Sequence, residues 1–410
     1  MPSNTRARLI AFYLPQFHPI PENDEWWGKG FTEWTNVAKA KPLFSGHYQP
    51  NLPTELGFYD LRVPEVREAQ ARLAREHGIE AFCYWHYWFG GERLLERPFQ
   101  EVLDSGKPDF PFCLAWANES WTGVWHGSPS RVLKEQDYPG EADHRRHFEF
   151  LLRAFRDPRY FRVSGKPLLV IYRPKNIPDI AGVVRLWRSL AAENGLPGLY
   201  LVATATDPKG IYRESGVDAI TIAGLIRAPE CPHHLVRGRL SAGILKHNRL
   251  ASAFQRLWPW PFPEHVYRYQ DVWPKLVVDW PFDVPLLPSV LPNWDNTPRS
   301  GLRGWVLQDP DPELFRLHVR DAMRVIRDQP AEQKILFLKS WNEWAEGNYL
   351  EPDRRFGRSF LEVIRDSVCD PLSRLPDHDK KGHSTVPPGR PEICTRLAPE
   401  AIRSGSSAME

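Results

Sequence analysis

Residues 334–353 read KILFLKSWNEWAEGNYLEPD. The stretch opens as a strand. Ile335–Leu338 is an unbroken apolar run, the pattern of a parallel strand covered on both faces. It then breaks into Trp341-Asn342-Glu343-Trp344-Ala345-Glu346-Gly347. Two carboxylates three positions apart therefore follow a strand end, with tryptophans among them and a glycine to turn the chain. One carboxyl of such a pair can manage the proton on a leaving oxygen while the other acts as base or nucleophile, and flat indoles stack on sugar faces. The pattern points to chemistry at a glycosidic bond, with Glu343 and Glu346 as candidate catalytic residues. The plain alternative is a helix start with acidic residues in its first turn. The strand end, Trp341, Trp344 and Gly347 weigh jointly against it.

Working outward, similar apolar runs recur at Arg8–Leu14, Ile79–Tyr84, Phe110–Ala115, Pro167–Tyr172, Leu199–Ala205, Val217–Ile222 and Val284–Val290. Helical spacing fills most gaps, at Pro64–His77, Leu95–Asp104, Ala142–Phe155, Ile180–Glu193 and Pro312–Arg327, and Phe360–Val368 closes the set. In the first of these, Val66, Ala69, Leu73 and Ala74 share a face and Gly78 follows as a C-terminal cap. Eight strands separated mainly by helices predict a single (β/α)8 TIM barrel. The rival, an open doubly wound sheet, normally carries a glycine-rich phosphate loop after its first strand. Here that strand runs into Leu14-Pro15-Gln16-Phe17-His18-Pro19. The connection 223–283 between strands six and seven is long, as functional lids and subdomains are. It contains His233-His234 and the aromatic segment Trp258–Phe262. Residues 370–410 are rich in Pro, Ser and charge without an apolar period, which predicts a disordered tail and sets the barrel domain at 1–369.

The chain has 410 residues, 42% of them hydrophobic, so it can bury a full core. With 53 basic and 51 acidic residues, the net charge of +2 gives no basic surplus to suggest a nucleic-acid partner. Five cysteines are an odd number, and Cys83 and Cys113 lie inside apolar runs as buried thiols. The N-terminal apolar run is too short for a signal sequence, and no segment approaches the ~20 apolar residues of an integral membrane segment. These features predict a soluble, cytoplasmic protein and leave its oligomeric state open. Seventeen tryptophans against three methionines suggest an aromatic cleft.

In barrels of this kind the site lies at the C-terminal strand ends. Strand one leads to Tyr13, Gln16 and His18, with Trp26, Trp27, Glu33 and Trp34 beyond. Strand two leads to Trp85, His86, Tyr87 and Trp88, and strand three to Trp116, Asn118, Glu119 and Trp121, with Trp125 and His126 close behind. Arg173 follows strand four and Thr206-Asp207 strand five. Asn293, Trp294, Asp295 and Asn296 follow strand seven. The expected substrate-binding set is Tyr13, Gln16, His18, Trp34, Trp85, His86, Tyr87, Trp116, Asn118, Glu119, Trp121, Asn293, Trp294, Asp295, Trp341, Asn342 and Trp344. Each has a bland reading: His86 among aromatics is as readily a hydrogen-bonded core histidine as a sugar contact. Glu119 is the main rival for the acid or base role. Cys231-Pro232-His233-His234 hints at zinc, but no second cluster at ligand spacing completes a site, so neither metal nor cofactor is expected.

Four segments carry a resemblance. They are AFYLPQFHPIPENDEWWGKGFTEW (11–34), FCYWHYWF (82–89), CLAWANESW (113–121) and LKSWNEWAEGNYLEPD (338–353). Together they resemble the WbsX-like family of polysaccharide-biosynthesis proteins, usually described as glycosyltransferase-like, across roughly residues 8–366. That domain is similar to glycoside hydrolase family 99, the endo-α-mannosidases, chiefly through Asn342-Glu343-Trp344-Ala345-Glu346-Gly347, with Ala345 where the mannosidases usually carry His. The resemblance implies a barrel and retention by neighbouring-group participation. Glu343 would take the proton of a sugar 2-OH while that oxygen attacks its own anomeric carbon, giving an anhydro sugar. Glu346 would protonate the leaving oxygen and later activate water, and so should hold a raised pKa while Glu343 stays ionised. An α-mannoside, whose 2-OH lies opposite the leaving group, suits this scheme. Three functions follow: a hydrolase acting on a bacterial polysaccharide, a glycosyltransferase or transglycosylase of O-antigen or capsule assembly, and a non-catalytic carbohydrate-binding barrel.

Overall fold

The computed structural model describes residues 7–123, 128–206, 212–225, 228–231, 263, 265–277 and 281–369. The expected tail, His233-His234, Trp258–Phe262, Trp125, His126 and Asp207 lie outside the described residues. Eight parallel strands are found among the described residues. They are β1 (Arg8–Tyr13), β2 (Ala81–Phe89), β3 (Phe112–Trp116), β4 (Lys166–Ile171), β5 (Tyr200–Thr204), β6 (Ala219–Thr221), β7 (Ser289–Val290) and β8 (Ile335–Leu338). They pair in the order β6-β5-β4-β3-β2-β1-β8-β7. A parallel bridge from Ile220 of β6 to Leu286, just ahead of β7, closes the circle into a (β/α)8 barrel.

The closing strand shows how local chemistry sets its geometry. The run Val284–Val290 contains Pro285 and Pro288, which have no N–H to give a ladder. Each is used only as an acceptor: Ile220 N–H donates to Pro285 O (2.9 Å), and Phe337 N–H donates to Pro288 O (2.9 Å). Leu287 between them supplies the donor, to Ile220 O at 2.8 Å. The strand is thereby split, its first part on β6 and its second on β8.

Strand β2 is longer than its apolar run suggests. It continues past Tyr84 to Phe89, buried throughout, and folds back as a hairpin onto Glu92–Leu94. Trp85, His86, Tyr87 and Trp88 therefore lie within the strand, not in a loop beyond it. Side-chain alternation sorts them: Trp85 and Tyr87 face into the barrel, while His86 and Trp88 face the surrounding helix Glu141–Phe155. The same parity runs around the barrel. Phe12 stacks on Trp85 (4.8 Å) and on Phe337 (5.2 Å) in the interior. Tyr13, Phe82 and Trp341 pack together in the layer outside it. Each such fully buried aromatic contributes about 1.5–3 kcal/mol of transfer free energy.

The predicted helices form at Pro64–Glu76, Arg97–Ser105, Glu141–Phe155, Ile180–Glu193, Pro312–Val325 and Ser359–Cys369. Two more, Pro21–Trp27 and Glu33–Lys39, build the connection after β1. The connection between β6 and β7 also carries structure of its own. His265–Arg268 pairs in parallel with Trp305–Gln308 outside the barrel, and Tyr269–Leu276 is helical. Among the described residues, no helix is long and apolar enough to cross a membrane.

Candidate active site

The C-terminal ends of the strands enclose a cleft of about 550 Å³. Strand parity brings Trp85, Tyr87 and Lys339 to it, the last sharing the inward face of Phe337. The segment after β8 is clamped so that its carboxylates project here. Trp341 N–H donates to Phe12 O at 2.8 Å. Asn342 holds the end of β1 from both sides, accepting from Leu14 N–H (2.7 Å) and donating to Leu14 O (3.0 Å). Ser340 Oγ accepts from Glu343 N–H (3.0 Å) and donates to Asn348 O (2.6 Å). Gly347 then turns the chain at φ +67°, where a Cβ would sit 2.5 Å from the Asp295 nitrogen. That nitrogen donates to Glu346 O at 2.8 Å, so only glycine allows the approach.

Glu343 and Glu346 lie within hydrogen-bonding reach of each other. Glu343 is buried, with Oε1 accepting from Trp85 Nε1–H (2.7 Å) and Oε2 from Lys339 Nζ. Burial pushes its pKa up to about 7, the Glu346 charge adds to this, and Lys339 opposes it. Glu346 is partly open, its side chain 21% exposed, and accepts from Arg299 Nη1 (2.5 Å) and Asn348 Nδ2 (3.2 Å). Lys339 Nζ stands 3.5 Å from it. Although burial pushes the other way, Lys339 and Arg299 together hold the Glu346 carboxyl down at about 2. The polarity is the reverse of the sequence expectation. The reason is Arg299, which lies 47 residues upstream and grips Glu346, not Glu343. Behind Arg299 sits Glu33, fully buried, bonded to its Nη2 (2.6 Å) and accepting Ala345 N–H (3.0 Å). Burial raises the Glu33 pKa, against the pull of Arg299.

Of the expected binding residues, the structure brings Gln16, Trp85, Tyr87, Glu119, Trp121 and Trp294 to the cleft with the glutamate pair. Others are committed behind its wall. Tyr13 faces outward and donates to Gln70 (2.6 Å). His18 is buried on Pro15 O (3.1 Å), and burial lowers its pKa to about 4. Trp34 donates to Tyr59 O (2.8 Å). His86 pairs with His147 (3.0 Å) and is pushed by burial down to about 3. Trp116 is fully buried against Trp187. Trp344 stacks on Tyr349 (3.8 Å) and donates to Glu351 (2.6 Å), and Trp341 is core beside Phe82. Asn118 pins the backbone of Arg173, as Asn342 pins Leu14. Asp295 is consumed by His47 (2.7 Å), Gln49 (2.6 Å) and Thr297 (2.6 Å). Asn293 lines a separate shallow depression. In most of these cases a buried polar atom found an intramolecular partner, as burial demands, whereas Trp116 Nε1 has none among the described residues.

Sequence reasoning passed over Lys339, Arg299 and Tyr172, all of which line the cleft. Lys339 carried a signal: a lone base directly after ILFL, in phase with Phe337. Arg299 carried none. Among the described residues, no three His, Cys, Asp or Glu side chains are grouped to hold a metal ion. The arrangement is a carboxyl pair able to hold one proton, flanked by two fixed cations, at the floor of an aromatic cleft.

Comparison with known proteins agrees with this frame. The family model described as Glycosyltransferase WbsX matches residues 9–364. Curated relatives in two strains of Xanthomonas campestris pv. campestris, both described as uncharacterized protein WxcX, are 38% identical over 92% of this chain and 51% of their own. The chain thus spans about half the length of the curated relatives it matches. Among solved structures, a glycoside hydrolase-like protein matches with TM-score 0.54 at 16% identity, over 90% of this chain and 95% of that one. The GH99 endo-alpha-mannosidase from Bacteroides thetaiotaomicron matches with TM-score 0.52 at 15% identity, over 88% and 95%. At these identities the likeness is one of fold.

Proposed function

We propose that this chain, which belongs to the WbsX glycosyltransferase family, acts on α-linked, mannoside-like bonds of a bacterial polysaccharide with Glu343 and Glu346 as the reacting pair. The observation that carries this reading is the placement of two carboxyls in mutual reach at the floor of the cleft, with Lys339 bonded to Glu343 and 3.5 Å from Glu346, and Arg299 bonded to Glu346. Burial pushes the Glu343 pKa up to about 7 while Lys339 and Arg299 hold Glu346 low, so up to about neutrality the pair keeps one proton, which an acid–base couple requires.

The reaction needs one proton to enter the pair and one to leave. Glu343 takes the 2-OH proton as the 2-oxygen bonds to the anomeric carbon. The bond to the leaving oxygen breaks, and Glu346 gives that oxygen a proton. Water or an acceptor hydroxyl then opens the anhydro sugar by the reverse transfers, retaining the configuration. In the free site the shared proton rests on Glu343. Arrival of the 2-OH at Glu343 shifts it to Glu346, one hydrogen bond away. Trp85 fixes Glu343, and Trp121 and Trp294 offer ring faces and edges to the sugar. The family description favours transfer to an acceptor as the second reading of the same chemistry.

The test is turnover of defined α-linked oligosaccharides, with and without nucleotide sugars. Glu343→Gln should lower the rate on every substrate by ~10²–10⁴-fold. Glu346→Gln should do so for poor leaving groups and spare activated aryl glycosides. Normal cleavage of 2-deoxy substrates, or full activity in both variants, would remove this mechanism. Turnover only with a nucleotide sugar would assign transfer.

A further inference from the structure

A second hollow of about 230 Å³ adjoins the cleft at the ends of β4 and β5. Liquid water occupies about 30 Å³ per molecule, so the hollow holds the volume of roughly seven or eight waters, enough for a single sugar ring. Tyr172 and Arg173 belong to both spaces and form the divide between them. The remaining lining includes Lys175, Asn176, Thr204 and Thr206. Among the described lining residues the two charged ones, Arg173 and Lys175, are both basic.

Arg173 is built into position. Its backbone is held from both sides by Asn118, whose Oδ1 accepts from Arg173 N–H (2.7 Å) and whose Nδ2 donates to Arg173 O (2.8 Å). Its guanidinium lies over the Tyr172 ring at 4.0 Å and donates through Nη2 to the Tyr172 hydroxyl (3.1 Å). Nε donates to Glu119 at 3.2 Å. That carboxylate is half exposed, and such a pair holds only weakly. Nη1 has no partner among the described residues. An ordered guanidinium with an open edge matches the planar geometry of a carboxylate or phosphate and has little rotamer freedom left to lose.

We infer that this hollow is a binding subsite for a sugar ring bearing an anionic substituent, a carboxylate or a phosphate, with Arg173 as its anchor. The inference rests on the carbohydrate reading of the adjoining cleft. It specifies an acidic saccharide as the substrate class, one ring at the glutamate pair and its charged neighbour across Tyr172. Removal of the charged contact should cost on the order of tenfold in affinity, the worth of a hydrogen bond to an ionised group.

Binding can be read without turnover, by saturation-transfer and titration NMR on the full chain. The probes are a hexose, its hexuronic acid, its 6-phosphate and inorganic phosphate. We expect an acidic sugar to bind at least about tenfold more tightly than the neutral hexose, with the advantage shrinking as salt rises. The uronic and phosphate arms distinguish the two sources of charge. Arg173→Gln should abolish the advantage and leave neutral-hexose binding in place, while Arg173→Lys should restore part of it. Thermal melts confirm that each variant is folded. Equal binding of neutral and acidic sugars, an advantage that survives Arg173→Gln, or inorganic phosphate binding as tightly as the sugar phosphate would each overturn the inference. Glu343→Gln should keep the preference. Loss of turnover with the preference intact therefore bears on the reaction alone, and turnover without the preference bears on the subsite alone.

Discussion

Replacing Lys339 with Met should move the upper titration of the carboxyl pair upward. Lys339 is buried, its ammonium bonded to Glu343, 3.5 Å from Glu346 and 5.6 Å from the Trp85 and Trp294 ring centres. Two unit charges about 4 Å apart at an effective dielectric near 20 interact by about 4 kcal/mol, equivalent to about three pKa units. Arg299 remains and water enters the vacated space, so a net shift of about one to two units is expected. The sign is fixed, because removing a cation disfavours the carboxylate and raises its pKa. The reactive form of the pair carries one proton, so the wild-type rate should fall as pH rises through about 7, where Glu343 ionises. In Lys339→Met that limb should move to roughly pH 8–9 on the same arithmetic. The pH profile of kcat/KM measures it. The infrared carbonyl band of the protonated carboxyl follows the same titration without substrate. Lys339→Arg keeps the charge and should leave the limb in place. A limb that stays put in Lys339→Met, or moves to lower pH, would refute this account of the site.

Two further predictions concern what holds the pair. Glu351 accepts from Gln70 (2.6 Å), Tyr59 (2.8 Å) and Trp344 (2.6 Å), so Glu351→Gln sets an amide N–H against a donor and should cost about 1–3 kcal/mol by denaturant melts. Burial raises Glu351 from 4.5 to about 7, as it does Glu343, so both contribute stability fully present below 4.5 and lost as pH rises to 7; the variant should flatten that slope in melting temperature. Gly347→Ala places a Cβ 2.5 Å from the Asp295 nitrogen at φ +67° and should cost about 2–4 kcal/mol, with loss of turnover. Gly357→Ala, at φ +54° with open space around it, should cost only about 1 kcal/mol.

The barrel was legible because its signal is periodic and local. Each buried parallel strand leaves an apolar run, and every one of the predicted runs became or joined a strand. What was not legible was where a run stops. Trp85–Trp88 reads as a polar and aromatic strand end, yet it continues β2, because a hairpin partner at Glu92–Leu94 extends the pairing. Within that segment parity alone would have separated Trp85 and Tyr87 from His86 and Trp88. The same rule, applied from Phe337, puts Lys339 at the cleft.

The tryptophans that drew attention to the site are a different case. Trp341 and Trp344 flank the glutamates in sequence, but both are almost fully buried. Their work is to hold the turn: Trp341 ties to Phe12, and Trp344 to Glu351 and Tyr349. The indoles that reach the cleft, Trp27, Trp85, Trp121 and Trp294, come from strand β2 and three other connections. The same holds for charge. A carboxyl pair this buried needs cations: burial raises Glu343, while Lys339 just after β8 and Arg299 from the connection before that strand hold Glu346 down. A motif can name the carboxylates because their spacing is local. It cannot say which of them keeps the proton, since Arg299 reaches Glu346 only once Glu33, from the other end of the chain, has fixed its far side at 2.6 Å.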